Sequence, residues 1–291
     1  VAAGPATILI IDPSHRIVEG VATDGRTIWV SSVLDRQVLA CRNTCRTLAT
    51  LPAGLYPFAI AWDRERKRLW VTADCPPGVA AITPCDRGAV IALDRAGKVR
   101  TRVSPEMGTF HPGDVSVSGR NLFVSDSQSG KVFRLLPSGK ALMIVNLPGD
   151  GKSGQGTALG PDGKHLFVAD YSRGMGQVDL STFKTRVLPR QDGKPLRGID
   201  GMIRCGDIYY GIYNGTSPGA LLAIRPNGSG LTFDEPLSDL SLPDPTQIAF
   251  DSNRLLIVAD SGWATIDKSE FVRISGTPII AVPLGPDCRV H

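Results

Sequence analysis

Apolar positions along this chain fall in short runs separated by turn residues. Residues 154–170, GQGTALGPDGKHLFVAD, set the pattern: small and apolar residues, a Pro161-Asp162-Gly163 turn, a triplet beginning at Leu166, and a closing Ala169-Asp170. Proline presets φ and glycine supplies positive φ, so the segment predicts a hairpin. A lone hairpin cannot bury its faces, and the chain repeats it at residues 19–30, 58–71, 113–124, 200–210 and 246–258. The triplets begin at Ile28, Leu69, Leu122, Leu166, Ile208 and Leu256, spaced 41, 53, 44, 42 and 48 residues apart. A period in the forties, with further apolar stretches such as 37–40 and 47–51 after each triplet, is that of propeller blades. The pattern predicts an all-β fold, a six-bladed β-propeller of four-stranded blades, as one domain over residues 1–291. An insertion at 75–85 explains the longest spacing. Residues 6–11 have no neighbouring hairpin partner and are predicted to close the ring in the last blade, beside residues 278–283. No segment of helical length carries a helical period.

Composition agrees, with 32 glycines and 22 prolines spread along the chain as many tight turns require. The net charge of +4 is scattered, and its densest stretch, residues 64–68, lies where a turn is predicted, so no nucleic-acid partner is expected. No stretch reaches 18 apolar residues, so no membrane span is expected either. The six cysteines allow 15 pairings. Sequence proximity favours Cys41 with Cys45 and Cys75 with Cys85, leaving Cys205 with Cys288. No CxxC or Cys/His pair at ligand spacing supports a zinc site. Disulfides imply an oxidising compartment, and a start at Val1 reads as a mature chain, so a secreted or periplasmic location is expected.

Inner propeller strands begin at one face of the central channel. Aligned on their turns, the six units place Glu19, Phe58, Gly113, Gln155, Asp200 and Thr246 there, followed by Gly20, Ala59, Asp114, Gly156, Gly201 and Gln247. Carboxylates and amides from different blades would converge. An all-oxygen set suits a hard cation, and equally describes polar residues lining a watery channel.

The Glu19-Gly20 opening of blade 1, GPDGKHLFVAD of blade 4 and Ile199-Asp200-Gly201-Met202 of blade 5 resemble the superfamily of senescence-marker protein, gluconolactonase and luciferin-regenerating enzyme. That resemblance implies a metal-dependent lactonase on a six-bladed propeller. The family holds one divalent cation with a Glu of the first blade, Asn of the third and fourth, and an Asp of the fifth that also activates water. By position these are Glu19, Gln155 and Asp200 here, with Gln155 one methylene longer than Asn. The third-blade Asn is Gly113, so Asp114 would have to substitute. His111 stands where the sugar-lactone enzymes carry a substrate-binding Arg.

The resulting expectation is lactone or ester hydrolysis with a divalent cation, calcium ahead of zinc, at Glu19, Gln155 and Asp200. Asp200 or His111 would take the proton from water, a role suited to histidine with its ordinary pKa of about 6.5. Phe58, Asp114, Tyr171, Tyr213, Gln247 and Trp263 are expected to contact a small-molecule substrate, with Met175 beside them on an apolar rim. Two other readings stand beside this one: a non-catalytic propeller that binds a small molecule or protein, and a different enzyme on the same scaffold, such as the strictosidine-synthase-like or paraoxonase-like groups. Gly215 to Gly219 match G-x-S-x-G, but a Pro-containing loop is no nucleophile elbow.

Overall fold

Each turn-and-triplet unit folds as the two inner strands of an antiparallel four-stranded sheet. In the computed structural model the described residues are 4–76, 85, 87–106, 108–136, 140–147, 153–237, 239–265, 275–285 and 288. After β1 (Ala6–Ile11), blade 1 comprises β2 (Val18–Thr23), β3 (Ile28–Ser32), β4 (Gln37–Cys41) and β5 (Cys45–Thr50). Blade 2 is β6 (Tyr56–Asp63), β7 (Arg68–Asp74), β8 (Ala89–Leu93) and β9 (Val99–Val103). Blade 3 is β10 (Pro112–Ser118), β11 (Asn121–Asp126), β12 (Lys131–Leu135) and β13 (Ala141–Asn146). Blade 4 is β14 (Gly154–Leu159), β15 (His165–Asp170), β16 (Gly174–Asp179) and β17 (Thr185–Val187). Blade 5 is β18 (Ile199–Cys205), β19 (Ile208–Tyr213), β20 (Ala220–Asn227) and β21 (Gly230–Asp234). Blade 6 is β22 (Ile248–Asp251), β23 (Arg254–Val258) and β24 (Thr277–Pro283), completed by β1.

The ring therefore closes as predicted, with Ala6 opposite Ala281 and Ile11 opposite Thr277. Among the described residues the one helical turn is the 3-10 segment Trp263–Thr265. The apolar triplets are buried because each blade is covered on both faces by its neighbours. Trp29 and Val38 of blade 1 pack against Ile60, Leu69 and Ile91 of blade 2. Trp70 and Val90 of blade 2 in turn meet Val115 and Phe133 of blade 3. Similar clusters join blades 3 and 4, 4 and 5, 5 and 6, and 6 and 1. The hydrophobic core is thus a set of blade interfaces arranged about the axis, which leaves the axis itself to polar groups.

Three disulfides pair the cysteines as expected, with Cα separations of 4.0 Å for Cys41–Cys45, 5.5 Å for Cys75–Cys85 and 5.3 Å for Cys205–Cys288. The first closes the β4–β5 turn, and the last ties the C-terminal segment to blade 5. Of the 75–85 insertion, residues 77–84 lie outside the described residues. No helix among the described residues is long and apolar enough to cross a membrane.

Candidate functional site at the propeller axis

Five inner strands break register at one common place: between Val18 and Val21, Pro57 and Ile60, Pro112 and Asp114, Gly154 and Thr157, and Ile199 and Met202. Those breaks hold Glu19, Phe58, Gly113, Gln155 and Asp200. A bulge frees backbone groups and re-aims side chains, and hydroxyls on the second strands take up what is freed. Ser31 Oγ accepts from Gly20 N at 2.7 Å and donates to Phe58 O at 2.6 Å. Ser125 Oγ accepts from Asp114 N at 3.2 Å and donates to Gln155 O at 2.7 Å. Thr72 Oγ1 accepts from Ala59 N at 2.9 Å. Thr246 Oγ1 donates to Glu19 O at 2.9 Å, joining blade 6 to blade 1. The inner strands are close here: a Cβ on Gly156 would stand 2.7 Å from Asp200 O.

This frame holds an acidic cluster. Glu19, Asp114 and Asp200 are 8 %, 5 % and 9 % exposed, so water solvates none of them well. Burial, then the charge of Asp200, drives the Glu19 carboxyl well above its ordinary range, against the indole N–H of Trp263 donated to Glu19 Oε2; Asp244 and Asp114 raise it further. Burial pushes Asp114 up to about 7, although the backbone N–H groups of Val115 and Thr157 oppose the shift. Asp200 is likewise pushed up to about 7, by burial and by the charges of Asp114 and Asp244, while Asn214 lowers it. The charged groups acting most strongly on Glu19 and Asp200 are all carboxylates, and their mutual repulsion favours uptake of a proton or of positive charge at the cluster.

Two amides bear on which. Asn214 donates from Nδ2 to Asp200 Oδ2 and to Pro245 O, each at 3.0 Å. Its Oδ1 is buried without a hydrogen-bond partner, an acceptor facing the need for a donor or a cation. Crowding explains Gly113: a Cβ there would meet Gly154 O at 2.6 Å, Ser127 Cβ at 3.1 Å and Gln155 Oε1 at 3.2 Å. The longer amide of blade 4 reaches the space that a blade 3 side chain would fill. Among the described residues no three His, Cys, Asp or Glu side chains form a metal-holding group. A cation here would therefore draw on amide oxygens together with Glu19 and Asp200, and the oxygen-only donor chemistry fits a hard divalent ion.

The aromatic candidates divide. Trp263 stacks on Phe58, ring centroids 6.1 Å apart, at the rim where it holds Glu19. Tyr171 and Tyr213 are half-buried on the Asp200 side, and Tyr171 Oη donates to Asn214 O at 3.4 Å. Burial and the charge of Asp200 raise the Tyr171 phenol. Gln247 is buried, with Oε1 2.9 Å from where a Cβ of Gly201 would lie. Met175 does not join the rim. It is 1 % exposed and packs among Phe167, Leu188 and Leu196, because its place opposite Ala169 in the β15–β16 ladder turns it into the core between blades 4 and 5. His111 hydrogen bonds Asp74 at the boundary of blades 2 and 3. The G-x-S-x-G match is the β19–β20 loop, with a strand on either side.

Asn214, Asp244 and Asp74 were not singled out as site residues in the sequence. Asp244 Oδ2 accepts from Ser261 Oγ, Gly262 N and Ala264 N at 2.7, 3.0 and 3.1 Å, and so fixes the turn that carries Trp263. Asn214 follows β19 where Asp74, Asp126 and Asp170 end β7, β11 and β15. That repeated acid or amide after the triplet was the available signal. An open cleft of about 710 Å³ lies beside blade 4, lined by Ser172, Arg173, Pro189 and Arg197 among others. Its described lining residues include no carboxylate, whereas Glu19, Asp114 and Asp200 lie buried on the inner strands.

Fold and site together define a six-bladed propeller with an acidic, aromatic-rimmed axis. No family model and no curated protein matches the sequence. Solved structures of like fold include a gluconolactonase from Xanthomonas campestris, with 17% sequence identity, a TM-score of 0.65 and coverage of 97% of this chain and 89% of that one. A luciferin-regenerating enzyme has 15% identity, a TM-score of 0.66 and coverage of 97% and 95%. The PQQ-bound aldose sugar dehydrogenase from Streptomyces coelicolor has 13% identity, a TM-score of 0.66 and coverage of 97% and 99%. At such identities the likeness is one of fold, the propeller expected from the repeat.

Proposed function

We propose that the axial site hydrolyses a lactone or ester with the help of a divalent cation. The observation that carries this reading is the burial of Glu19, Asp114 and Asp200 together beside the unpartnered Asn214 Oδ1. Glu19, Gln155 and Asp200 would hold the cation, calcium ahead of zinc because the donors are all oxygens, and when bound it supplies Lewis-acid polarisation of the substrate carbonyl. Trp263 and Phe58 offer the acyl group an apolar wall, and the Tyr171 and Tyr213 hydroxyls and Gln247 orient polar atoms. Asp114, titrating at about 7, can donate a proton in a hydrogen bond near neutrality. The aromatic side chains Phe58, Trp263, Tyr171 and Tyr213 beside the cluster favour a less polar lactone than a free sugar acid provides. Asp200 and His111 are the two candidates to accept a proton from attacking water. The gluconolactonase among the fold neighbours is in keeping with this class of reaction. The three disulfides support a secreted or periplasmic protein.

The test is turnover of a panel of γ- and δ-lactones and aryl esters, with calcium and with chelator. Hydrolysis that chelator removes and Asp200→Asn abolishes is the expected result. No turnover by the wild type across the panel overturns the reading and leaves the binding propeller in its place.

A further inference from the structure

Asp74 and His111 come from different blades yet meet in one hydrogen bond. Asp74 is the last residue of β7 in blade 2, and His111 directly precedes β10 in blade 3. His111 Nδ1 lies 2.9 Å from Asp74 Oδ2. The backbone around the imidazole is fixed on both sides: His111 N donates to Asp126 Oδ2 at 2.9 Å, and His111 O accepts from Ser127 N at 2.7 Å and from Ser127 Oγ at 3.1 Å. The Asp74 side chain is 9 % exposed and that of His111 26 %, so the acid is enclosed and the ring reaches solvent on the loop-covered face. Nε2 has no partner among the described residues, and His111 is three positions from Asp114 of the acidic cluster.

We propose that Asp74 and His111 form a positioned acid–imidazole dyad in which His111 Nε2 is the proton acceptor of the hydrolysis, an inference that rests on the lactonase reading. With Asp74 accepting from Nδ1–H, the lone pair is confined to Nε2, the arrangement that makes imidazole a general base. The charged groups facing the pair are Asp74 itself and Asp126, whose oxygen is already committed to the His111 backbone N–H. Asp200 is less free to serve, since Oδ2 accepts from Asn214 and a cation held there would take its lone pairs. In the step, water oxygen bonds to the carbonyl carbon as its proton passes to Nε2. The ring C–O bond then breaks, and the same proton goes to the departing alkoxide, giving the hydroxy acid. His111 is the catalytic residue and Asp74 a positioning residue.

Imidazole ¹⁵N NMR of wild type and Asp74→Asn, together with kcat and KM of both and of His111→Gln, tests the dyad. Expected are an Nδ1–H tautomer of His111 in the wild type that is lost in Asp74→Asn, and a kcat lowered on the order of 10²–10⁴-fold in His111→Gln with KM little changed. Asp74→Asn should lower kcat in the same sense. His111 is partly exposed, so His111→Gln keeps the kinetic test intact if Asp74→Asn folds poorly. Lactone turnover that needs Asp200 but is unchanged in His111→Gln overturns the dyad alone; an Nε2–H tautomer in the wild type does likewise. Absence of turnover in the wild type overturns the lactonase reading instead.

Discussion

Asp114→Asn gives the acidic axis a direct energetic test. Asp114 is 5 % exposed, and its carboxyl is raised from 3.8 to about 7, chiefly by burial. A carboxyl raised by folding contributes stability that is fully present below its unfolded pKa and is lost as pH rises through the folded value. In chelator, the wild type therefore loses stability from this group between about pH 4 and pH 7. At about 1.36 kcal/mol per pH unit the loss reaches roughly 4 kcal/mol by pH 8. Asparagine carries no charge, and its Oδ1 can still accept from Val115 N, now 2.7 Å from Asp114 Oδ1. The variant should match the wild type near pH 4 and exceed it at pH 8 by up to ~4 kcal/mol, or about 6–8 °C in Tm for a chain of this size. Urea and thermal unfolding at half-unit pH steps read the difference directly. An unchanged pH dependence, or an Asn variant less stable at pH 8, would refute the reasoning.

Gly113→Asn should destabilise by about 1–3 kcal/mol in urea unfolding, because its Cβ would stand 2.6 Å from the Gly154 carbonyl, a backbone atom that cannot swing away. Trp263→Phe removes the donor to Glu19 while keeping a ring against Phe58; a loss of about 1–3 kcal/mol is expected in the same assay. Removing the 83-residue Cys205–Cys288 cross-link by a double Ser substitution should cost up to roughly 4 kcal/mol, read as a lowered denaturation midpoint.

The blade count was legible because every triplet must be buried between two neighbouring sheets, which forces the same apolar pattern on each repeat. Ring closure followed from the unpaired residues 6–11, and the disulfides from proximity and elimination. Glu19 and Asp200 could be placed from the alignment of inner strands alone, since a shared bulge presents the same position in five blades, and Asp114 directly follows that position in blade 3. What stayed hidden depends on contacts between blades. Asn214 stands in the loop after β19, and only the fold brings its amide to Asp200. Asp244 acts through a turn 17 to 20 residues further on, and Asp74 through a histidine of the next blade, 37 residues away. Met175 misled because alternation along β16 is set by its partner β15, which the run Gly174-Met175-Gly176 does not reveal. Gly113 reads in sequence as a missing ligand, whereas the Gly154 carbonyl, with Ser127 and Gln155 beside it, leaves no room for a side chain there.

The central claim is that the acidic axis takes a divalent cation in place of its protons. Calorimetric titration of calcium into wild type and Asp200→Asn at pH 6.5, in two buffers of different ionisation enthalpy, tests it most directly. The account predicts one site, protons released on binding because Glu19 and Asp200 titrate high, and loss of binding in Asp200→Asn. Absence of binding heat in the wild type, or equal binding in the variant without proton release, would contradict it.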